Sequence, residues 1–178
     1  MLFSGKVFAM QKKSHHKLTK EVAFFLAALV VVSLDQISKF FVRTNMTLGQ
    51  LIPEEGFFRI TYTTNTGGAF GIFANQAFLI TIIAIAGIVT ILIYVRYSPL
   101  NRMPIRIALG LLLGGTAGNL IDRIAFGRVV DFIDIGFGQY RWPTFNVADS
   151  VIVISTIIFI YYILFRLKIH EPVQRSSE

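Results

Sequence analysis

Four apolar segments, each long enough to span a membrane as a helix, constrain this chain more than any other feature of its sequence. They lie at residues 22–42, 77–97, 105–124 and 147–167. A helix needs about 20 mostly apolar residues to cross the hydrocarbon core of a bilayer. The sequence therefore predicts an integral membrane protein with four transmembrane helices.

The composition agrees with this prediction and excludes several other classes of protein. Charged residues make up 15% of the chain, against about 25% in soluble domains. The net charge is +7, but the basic residues flank the apolar segments, so no nucleic-acid partner is predicted. The chain has no cysteine, which excludes thiolate chemistry and disulfides.

The distribution of lysine and arginine predicts the orientation of the helices. Basic residues cluster before the first apolar segment, between the second and third, and after the fourth. Because such residues favour the cytoplasmic side, both termini are predicted to be cytoplasmic. Residues 1–20 form a basic, loosely ordered cytoplasmic extension in this interpretation. The connections 43–76 and 125–146 then face the outside.

The first outer connection is too long for a simple turn. Its stretch from Phe58 to Thr64 is rich in aromatic and β-branched residues with partial alternation, which favours short strands. We expect a small sheet on the outer membrane face, and the second connection is treated as a loop. The predicted fold is an all-α membrane protein with a small β element, in a single domain covering residues 1–178.

Polar residues inside apolar segments are costly and usually face the interior of a helix bundle or a cavity. Asp35 and Lys39 lie four residues apart, on one face of the first helix. They form an internal ion pair, contact a substrate, or do both. In the third segment Asn119 and Arg123 lie one turn apart, and Asp122 can pair nearby.

Three further features are read from local spacing. Gly114 and Gly118 form a small-residue face suited to close helix packing. Asn65, followed by two glycines, is typical of a turn. Asn146 and Asp149 have the spacing of a helix cap and its acidic partner.

Asp131 has no comparable structural explanation, because it lies between the apolar residues Val130 and Phe132. If the outer ends of the third and fourth helices are adjacent, Asp131 and Asp149 converge. Two close carboxylates share a proton and titrate as a pair. Such a pair can activate water and protonate a leaving amine. Asp149, near a helix N-terminus, is expected to ionise first and to leave the proton on Asp131.

The order of these groups resembles a known family. The segments DQISK, NTGGAF, GGTAGNLIDR, VVDF and FNVAD are similar to those of the bacterial lipoprotein signal peptidases, also called signal peptidase II. The resemblance covers residues 22–167. It implies a four-helix aspartyl endopeptidase of the inner membrane, with a small periplasmic sheet. Such enzymes remove signal peptides from prolipoproteins by cutting before a cysteine that carries diacylglycerol.

Residue by residue, the resemblance implies that Asp131 and Asp149 are catalytic. The positions that would bind substrate or support this pair are Asp35, Lys39, Asn65, Asn119, Arg123 and Asn146. No metal or cofactor is implied, and the expected partners are a prolipoprotein with its diacylglyceryl-cysteine and membrane lipid. A monomer is expected. Gly68 departs from the family, which often has alanine at this position.

A small transporter or ion pathway is the alternative from another class of protein. Asp35, Lys39, Asp122 and Arg123 would then serve as relay groups within the membrane. Transporters tend to show paired halves and broken helices at mid-depth. In this chain the halves do not resemble each other and the polar groups cluster towards one face, which favours the peptidase.

Overall fold

Four helices form the body of the protein. The structure is a computed structural model that describes residues 2–67, 76–98 and 102–166, with side chains from Leu18 onward. The helices are α1 (Leu2–Asn45), α2 (Ala77–Tyr97), α3 (Met103–Phe126) and α4 (Val147–Tyr161), and a π-helical turn (Tyr162–Arg166) follows α4. Helices α1, α2 and α3, and α4 together with the π-helical turn, each contribute a segment long and apolar enough to cross a membrane. The four predicted transmembrane helices are confirmed.

The helices differ in how far neighbouring parts of the protein cover them. Half of the apolar span of α3 is buried, whereas only 11% of the span of α2 is buried. Large apolar side chains on the outside of the bundle are exposed, among them Leu29 at 63% and Phe78 at 79%. In a bilayer these side chains contact acyl chains, so their exposure needs no further partner. Helix α3 is therefore the central helix of the bundle.

Glycines on α3 allow α1 to pack against it at short range. A Cβ atom on Gly114 would lie 2.6 Å from the backbone oxygen of Ala28, and one on Gly110 would collide with the backbone oxygen of Phe24. A Cβ on Gly118 would lie 2.5 Å from the Asp35 carboxylate. The close packing predicted for Gly114 and Gly118 is present. It brings the polar residues of α1 and α3 within hydrogen-bonding distance of each other.

A four-stranded antiparallel sheet lies at the end of the bundle where α1 and α3 end and α4 begins. Its strands are β1 (Leu51–Ile52), β2 (Phe58–Asn65), β3 (Val129–Phe137) and β4 (Tyr140–Arg141), in the order β1-β2-β3-β4. Strands β2 and β3 align Thr63 with Asp131 and Asn65 with Val129, and an irregularity follows Ile60. The strand predicted at Phe58 to Thr64 is confirmed.

The second connection is not simply a loop, which corrects the prediction for residues 125–146. It supplies β3 and β4, half of the strands of the sheet. Strand β3 is buried on both faces over its first four residues, so its sequence lacks the alternation that marks a half-buried strand. Val130 and Phe132 pack with Val42 of α1 in one apolar cluster. This cluster attaches the sheet to the helix bundle.

The amino-terminal region also differs from the prediction of a loosely ordered extension. Helix α1 runs without interruption from Leu2. Residues 2–21 contain no proline and only one glycine, so nothing in their sequence breaks a helix that is already formed by the apolar segment after them. Residues 68–70 of the NTGGAF segment, Gly68 among them, and residue 167 at the end of the fourth predicted helix lie outside the described residues.

Candidate active site

Strand β3 carries Asp131 into the interior between the sheet and the helices. Its side chain is only 2% exposed. One carboxylate oxygen, Oδ1, accepts a hydrogen bond of 2.7 Å from Asn146 Nδ2. The other oxygen accepts one of 3.3 Å from Asn65 Nδ2. Asn65 Oδ1 in turn accepts a hydrogen bond from the Gly67 amide at 2.8 Å, so the turn predicted for Asn65 is present and Asn65 lies beside Asp131.

Asp149 lies in the first turn of α4, within the predicted capping box. Asn146 Oδ1 accepts a hydrogen bond from the Asp149 amide at 2.9 Å, and the Asn146 amide donates to Asp149 Oδ2 at 3.3 Å. The remaining oxygen, Oδ1, accepts a bond of 2.7 Å from Asn119 Nδ2. Two donors, the Asn146 amide and Asn119 Nδ2, therefore reach the carboxylate at the helix N-terminus, and each of these bonds favours its charged form.

The side chain of Asn146 joins the two aspartates. Its amide nitrogen donates to Asp131, and its carbonyl oxygen holds the first turn of α4 at Asp149. The same nitrogen lies 3.2 Å from Asn119 Oδ1. Asn146 is fully buried, so it cannot touch a substrate without rearrangement. It acts as a spacer that places both carboxylates at the same end of one cavity.

Asp35 and Lys39 form the predicted ion pair, at 2.8 Å, and both side chains are fully buried. Lys39 Nζ also donates to Asn119 Oδ1 at 2.9 Å. Asp35 Oδ1 accepts a hydrogen bond of 3.0 Å from the Ala148 amide, one residue before Asp149. The sequence left open whether these residues form an ion pair or contact a substrate. The structure shows the ion pair, and it adds a contact between Asp35 and the backbone just before Asp149.

Asp122 is a member of this arrangement that the predicted site omitted. It lies 3.2 Å from Lys39 Nζ, and its Oδ2 accepts a hydrogen bond of 3.1 Å from the Val130 amide, one residue before Asp131. Gln36 and Arg43 contact its other oxygen. We call Asp35, Lys39, Arg43 and Asp122 the buried charge network. Its two carboxylates hold the backbone immediately before each of the two aspartates at the site.

The position of Asp122 on α3 could have indicated that it belongs to the site. Asp122 lies three residues after Asn119, on the same face of the helix. From the sequence, Asp122 is expected to pair with a nearby group or, in a transporter, to serve as part of a relay. Its actual partners, Lys39 and Val130, come from other elements. Only the packing of α1 and β3 against α3 brings them together.

A cavity of about 970 Å³ contains both aspartates at its polar end. Asn65, Asn119 and Arg123 line it beside them. The half-buried Arg123 donates to the backbone oxygen of Asn119 at 3.3 Å. Asp35, Lys39 and Asn146 do not line the cavity. The six predicted supporting residues thus fall into two groups. Three line the cavity and can touch a ligand, and the other three are buried outside it and hold the aspartates in position.

The other end of the cavity is apolar and continuous with the outer surface of α4. Ile152, Val153 and Ile154 line it from α4, and Ile135 and Trp142 line it from the sheet side. Val153 and Ile154 are more than half exposed on the apolar surface of the bundle. A ligand with a long apolar part can therefore enter from the side, through lipid, and place a polar part at the aspartates.

The acids of β3 have opposite electrostatic environments. Burial, and after it the negative charge of Asp149, together raise the pKa of Asp131 from 3.8 to about 7, against the opposing effect of the hydrogen bonds from Asn146 and Asn65. Burial also disfavours the charge of Asp134, but hydrogen bonds from Arg141 and Arg59 outweigh it and lower its pKa. Asp131 thus holds a proton near neutral pH, whereas Asp134 is a paired, structural carboxylate.

Comparison with known proteins identifies the family. Residues 27–165 match the family described as signal peptidase (SPase) II. The chain belongs to the signal peptidase II family. It is 43% identical over 142 residues to a lipoprotein signal peptidase of Moorella thermoacetica, covering 79% of this chain and 92% of that protein. A lipoprotein signal peptidase of Desulforapulum autotrophicum is 38% identical over 151 residues, covering 81% and 93%.

A solved structure agrees with this membership. A bacterial membrane enzyme determined by the in meso method at 2.3 Å resolution superposes with a TM-score of 0.76 at 32% identity. The match covers 87% of this chain and 94% of that one. The resemblance read from the five sequence segments is confirmed, as is the combination of four membrane helices with a small sheet.

The alternative of a transporter finds no support in these comparisons. The structure supplies a physical reason, because Asp35, Lys39 and Asp122 are fully buried and bonded to one another. A relay needs groups that reach water or a transported ion, and these three contact protein.

Among residues 18–67, 76–98 and 102–166, no group of three His, Cys, Asp or Glu side chains is placed to hold a metal ion. The absence of a cofactor stays a prediction.

Proposed function

We propose that this chain is an aspartic endopeptidase that removes the signal peptide from prolipoproteins, with Asp131 and Asp149 as its catalytic pair. The observation that carries the proposal is that one buried side chain, Asn146, contacts both aspartates at the polar end of a cavity whose other end is apolar. Membership of the signal peptidase II family supports the substrate class.

The environments of the two acids suggest how they divide the work. Asp149, whose carboxylate accepts two hydrogen bonds at a helix N-terminus, is the ionised member that removes a proton from the attacking water. The water oxygen bonds to the carbonyl carbon of the scissile peptide. Asp131, which holds a proton near neutral pH because burial raises its pKa to about 7, protonates the departing nitrogen as the carbon–nitrogen bond breaks.

The cavity suits a substrate that is apolar on both sides of the cleaved bond. The apolar end at Ile152 and Val153 would contact the signal helix and the acyl chains of a diacylglyceryl-cysteine. Burial of such surface contributes about 25 cal/mol per Å² without demanding a particular sequence. The polar residues Asn65, Asn119 and Arg123 are placed to hold the peptide backbone beside the aspartates.

The position in the membrane follows from the charge distribution. The sheet and both aspartates lie at the end of the bundle opposite the basic connection between α2 and α3. With that connection on the cytoplasmic side, the active site faces the outer surface of the bacterial inner membrane, both termini are cytoplasmic, and a monomer suffices to form the site.

A cleavage assay tests this proposal directly. The purified full chain, in detergent with a chelator present, is incubated with a prolipoprotein that carries a diacylglyceryl-cysteine and with the same protein lacking the lipid. We expect rapid cleavage before the cysteine of the lipidated form alone, read by mass spectrometry of both products. Equal cleavage of the two forms would contradict the role of the lipid, and no cleavage of either would contradict the peptidase.

The pH dependence of cleavage reports on the proton of Asp131. Because the general acid must be protonated, we expect the rate to fall as pH rises through about 7, the pKa of Asp131. The Asn65→Ala variant removes a hydrogen bond that stabilises the charged carboxylate, so the midpoint of this fall should move to higher pH. Initial rates between pH 5 and 9 measure both curves, and a midpoint that moves downward in the variant would contradict the assignment.

A further inference from the structure

A second cavity lies behind the catalytic one, on the opposite face of strands β2 and β3. Its volume is about 350 Å³. Along β3, Val129 and Asp131 line the catalytic cavity, whereas Val130 between them lines the second one, as expected from the alternation of side chains along a strand. The residues that line it, which we call the arginine cleft, are Arg43, Leu48, Tyr62, Thr64, Phe126, Arg128 and Val130.

The arginine cleft is located where the membrane helices end. The span of α1 ends at Asn45 and that of α3 at Phe126. Leu48 and Phe126, at the rim of the cleft, are 65% and 50% exposed. The headgroups of a bilayer occupy the zone just beyond the ends of the spanning segments. The cleft therefore presents charged groups at headgroup level and apolar side chains towards the acyl chains.

The charges around the cleft leave one arginine uncompensated. Within the buried charge network, Asp35 and Asp122 carry two negative charges and Lys39 and Arg43 two positive ones, so the network is neutral. Arg128 is exposed and forms no hydrogen bond or ion pair with the described parts of the chain. The cleft thus has a net positive charge that no carboxylate among the described residues neutralises.

The guanidinium of Arg43, the second arginine of the cleft, is held in place by two contacts, yet it still has N–H donors that can bind a ligand. Its Nη1 lies 3.5 Å from Asp122 Oδ1, and its guanidinium carbon lies 4.7 Å from the centre of the Phe126 ring. A guanidinium has five N–H donors, and the long contact with Asp122 occupies one. The negative end of the α1 dipole accounts for a cation at Arg43. The negative end of the α3 dipole likewise favours a cation at Arg128, which follows the Gly127 cap of α3.

We propose that the arginine cleft binds the phosphate of an anionic phospholipid, with Arg43 and Arg128 as its two ligands. Guanidinium groups match phosphate oxygens with paired, charge-assisted hydrogen bonds, and basic pockets beside membrane helices bind lipid headgroups. The acyl chains lie along Leu48 and Phe126. Because β2 and β3 separate this lipid from Asp131, it is distinct from the lipid of a prolipoprotein substrate. The proposal needs the membrane fold and does not depend on the peptidase activity.

Native mass spectrometry of the delipidated full chain in neutral detergent tests this site. The chain is titrated with phosphatidylglycerol, with zwitterionic phosphatidylcholine and with inorganic phosphate. We expect one phosphatidylglycerol to bind at least about tenfold more tightly than phosphatidylcholine, because it supplies a net negative charge to two guanidinium groups. Arg128→Gln should lose most of this preference, and Arg128→Lys should keep part of it.

Arg96→Gln is the matched control. Arg96 is exposed at the far end of α2, where it lies over the Tyr97 ring, and the substitution removes the same charge. Arg128 is exposed and forms no hydrogen bond or ion pair with the residues that the structure describes, so its variants should melt at the wild-type temperature. Equal losses in Arg96→Gln and Arg128→Gln would overturn the proposal in favour of general electrostatics. Binding of inorganic phosphate as tight as that of the lipid, with the same dependence on Arg128, would overturn a lipid as the occupant.

Discussion

Asp131→Asn is expected to lower the rate of prolipoprotein cleavage by about 10²- to 10⁴-fold, the usual contribution of a general acid or base. Asparagine has the shape of aspartate but has no acidic proton to donate to the leaving nitrogen. Asp149→Asn should cause a similar loss, because it removes the carboxylate that activates water. Single-turnover cleavage of a lipidated substrate by each purified variant measures the effect.

Asp134→Asn provides the matched control on the same strand. Asp134 is bonded to Arg59 and Arg141, each at 2.6 Å, and does not line the catalytic cavity. Its substitution should lower the melting temperature, because it leaves two arginines without their shared partner, while each folded molecule still cleaves substrate. The Asp131 and Asp149 variants should show the reverse pattern, a retained fold with lost activity. Near wild-type turnover in either of them would refute the catalytic pair.

Lys39→Met is expected to destabilise the protein by about 3–5 kcal/mol, the usual effect of breaking a buried ion pair. Lys39 is the shared partner of Asp35 and Asp122, and all three side chains are fully buried. Removing its charge leaves two carboxylates against Arg43 alone. Because those carboxylates hold the backbone before Asp131 and Asp149, cleavage activity should fall together with stability. Thermal unfolding and cleavage rates of the purified variant measure the two effects.

The double variant Lys39→Met with Asp35→Asn tests whether charge is the cause. It restores neutrality to the buried charge network, and asparagine keeps an oxygen that can accept from the Ala148 amide. We expect the double variant to unfold at a higher temperature than Lys39→Met alone. If lost packing rather than unpaired charge were responsible, the second substitution would lower the stability further. A wild-type melting temperature for Lys39→Met would contradict the role given to Lys39.

The membrane helices were predictable because their signal is local. Each segment is apolar over the length of a bilayer, and no partner is needed to see this. Strand β2 was predictable for a similar reason, since Phe58 to Thr64 has the composition of a strand. Strand β3 was not, because its first four residues are buried on both faces. Such a strand has no alternation, and without knowledge of the sheet it resembles an apolar loop.

In the candidate site, too, local contacts could be predicted from the sequence and contacts between distant residues could not. Asn146 and Asp149 form a cap whose spacing is visible in four consecutive residues. The contact of Lys39 with Asn119 joins residues 80 positions apart, and the bond between Asp122 and Val130 depends on how β3 turns back over α3. The resemblance to a family implied that Asp35 and Lys39 are site residues, but not that Lys39 pairs with Asp122 or that Asp35 holds the Ala148 amide. It therefore left open which residues face the cavity and which support it.

By itself, the sequence determined the four spans, the helix cap at Asp149 and the residues that mark the signal peptidase II family, because each depends on neighbours in the chain. Only the tertiary structure decided that Asn146 spaces the aspartates, that Asp122 completes a neutral charge network, and that burial raises the pKa of Asp131 to about 7. The physical reason is that burial and charge pairing depend on what lies across the fold. Val129, Val130 and Asp131 are consecutive, yet the sheet places them on two different cavities.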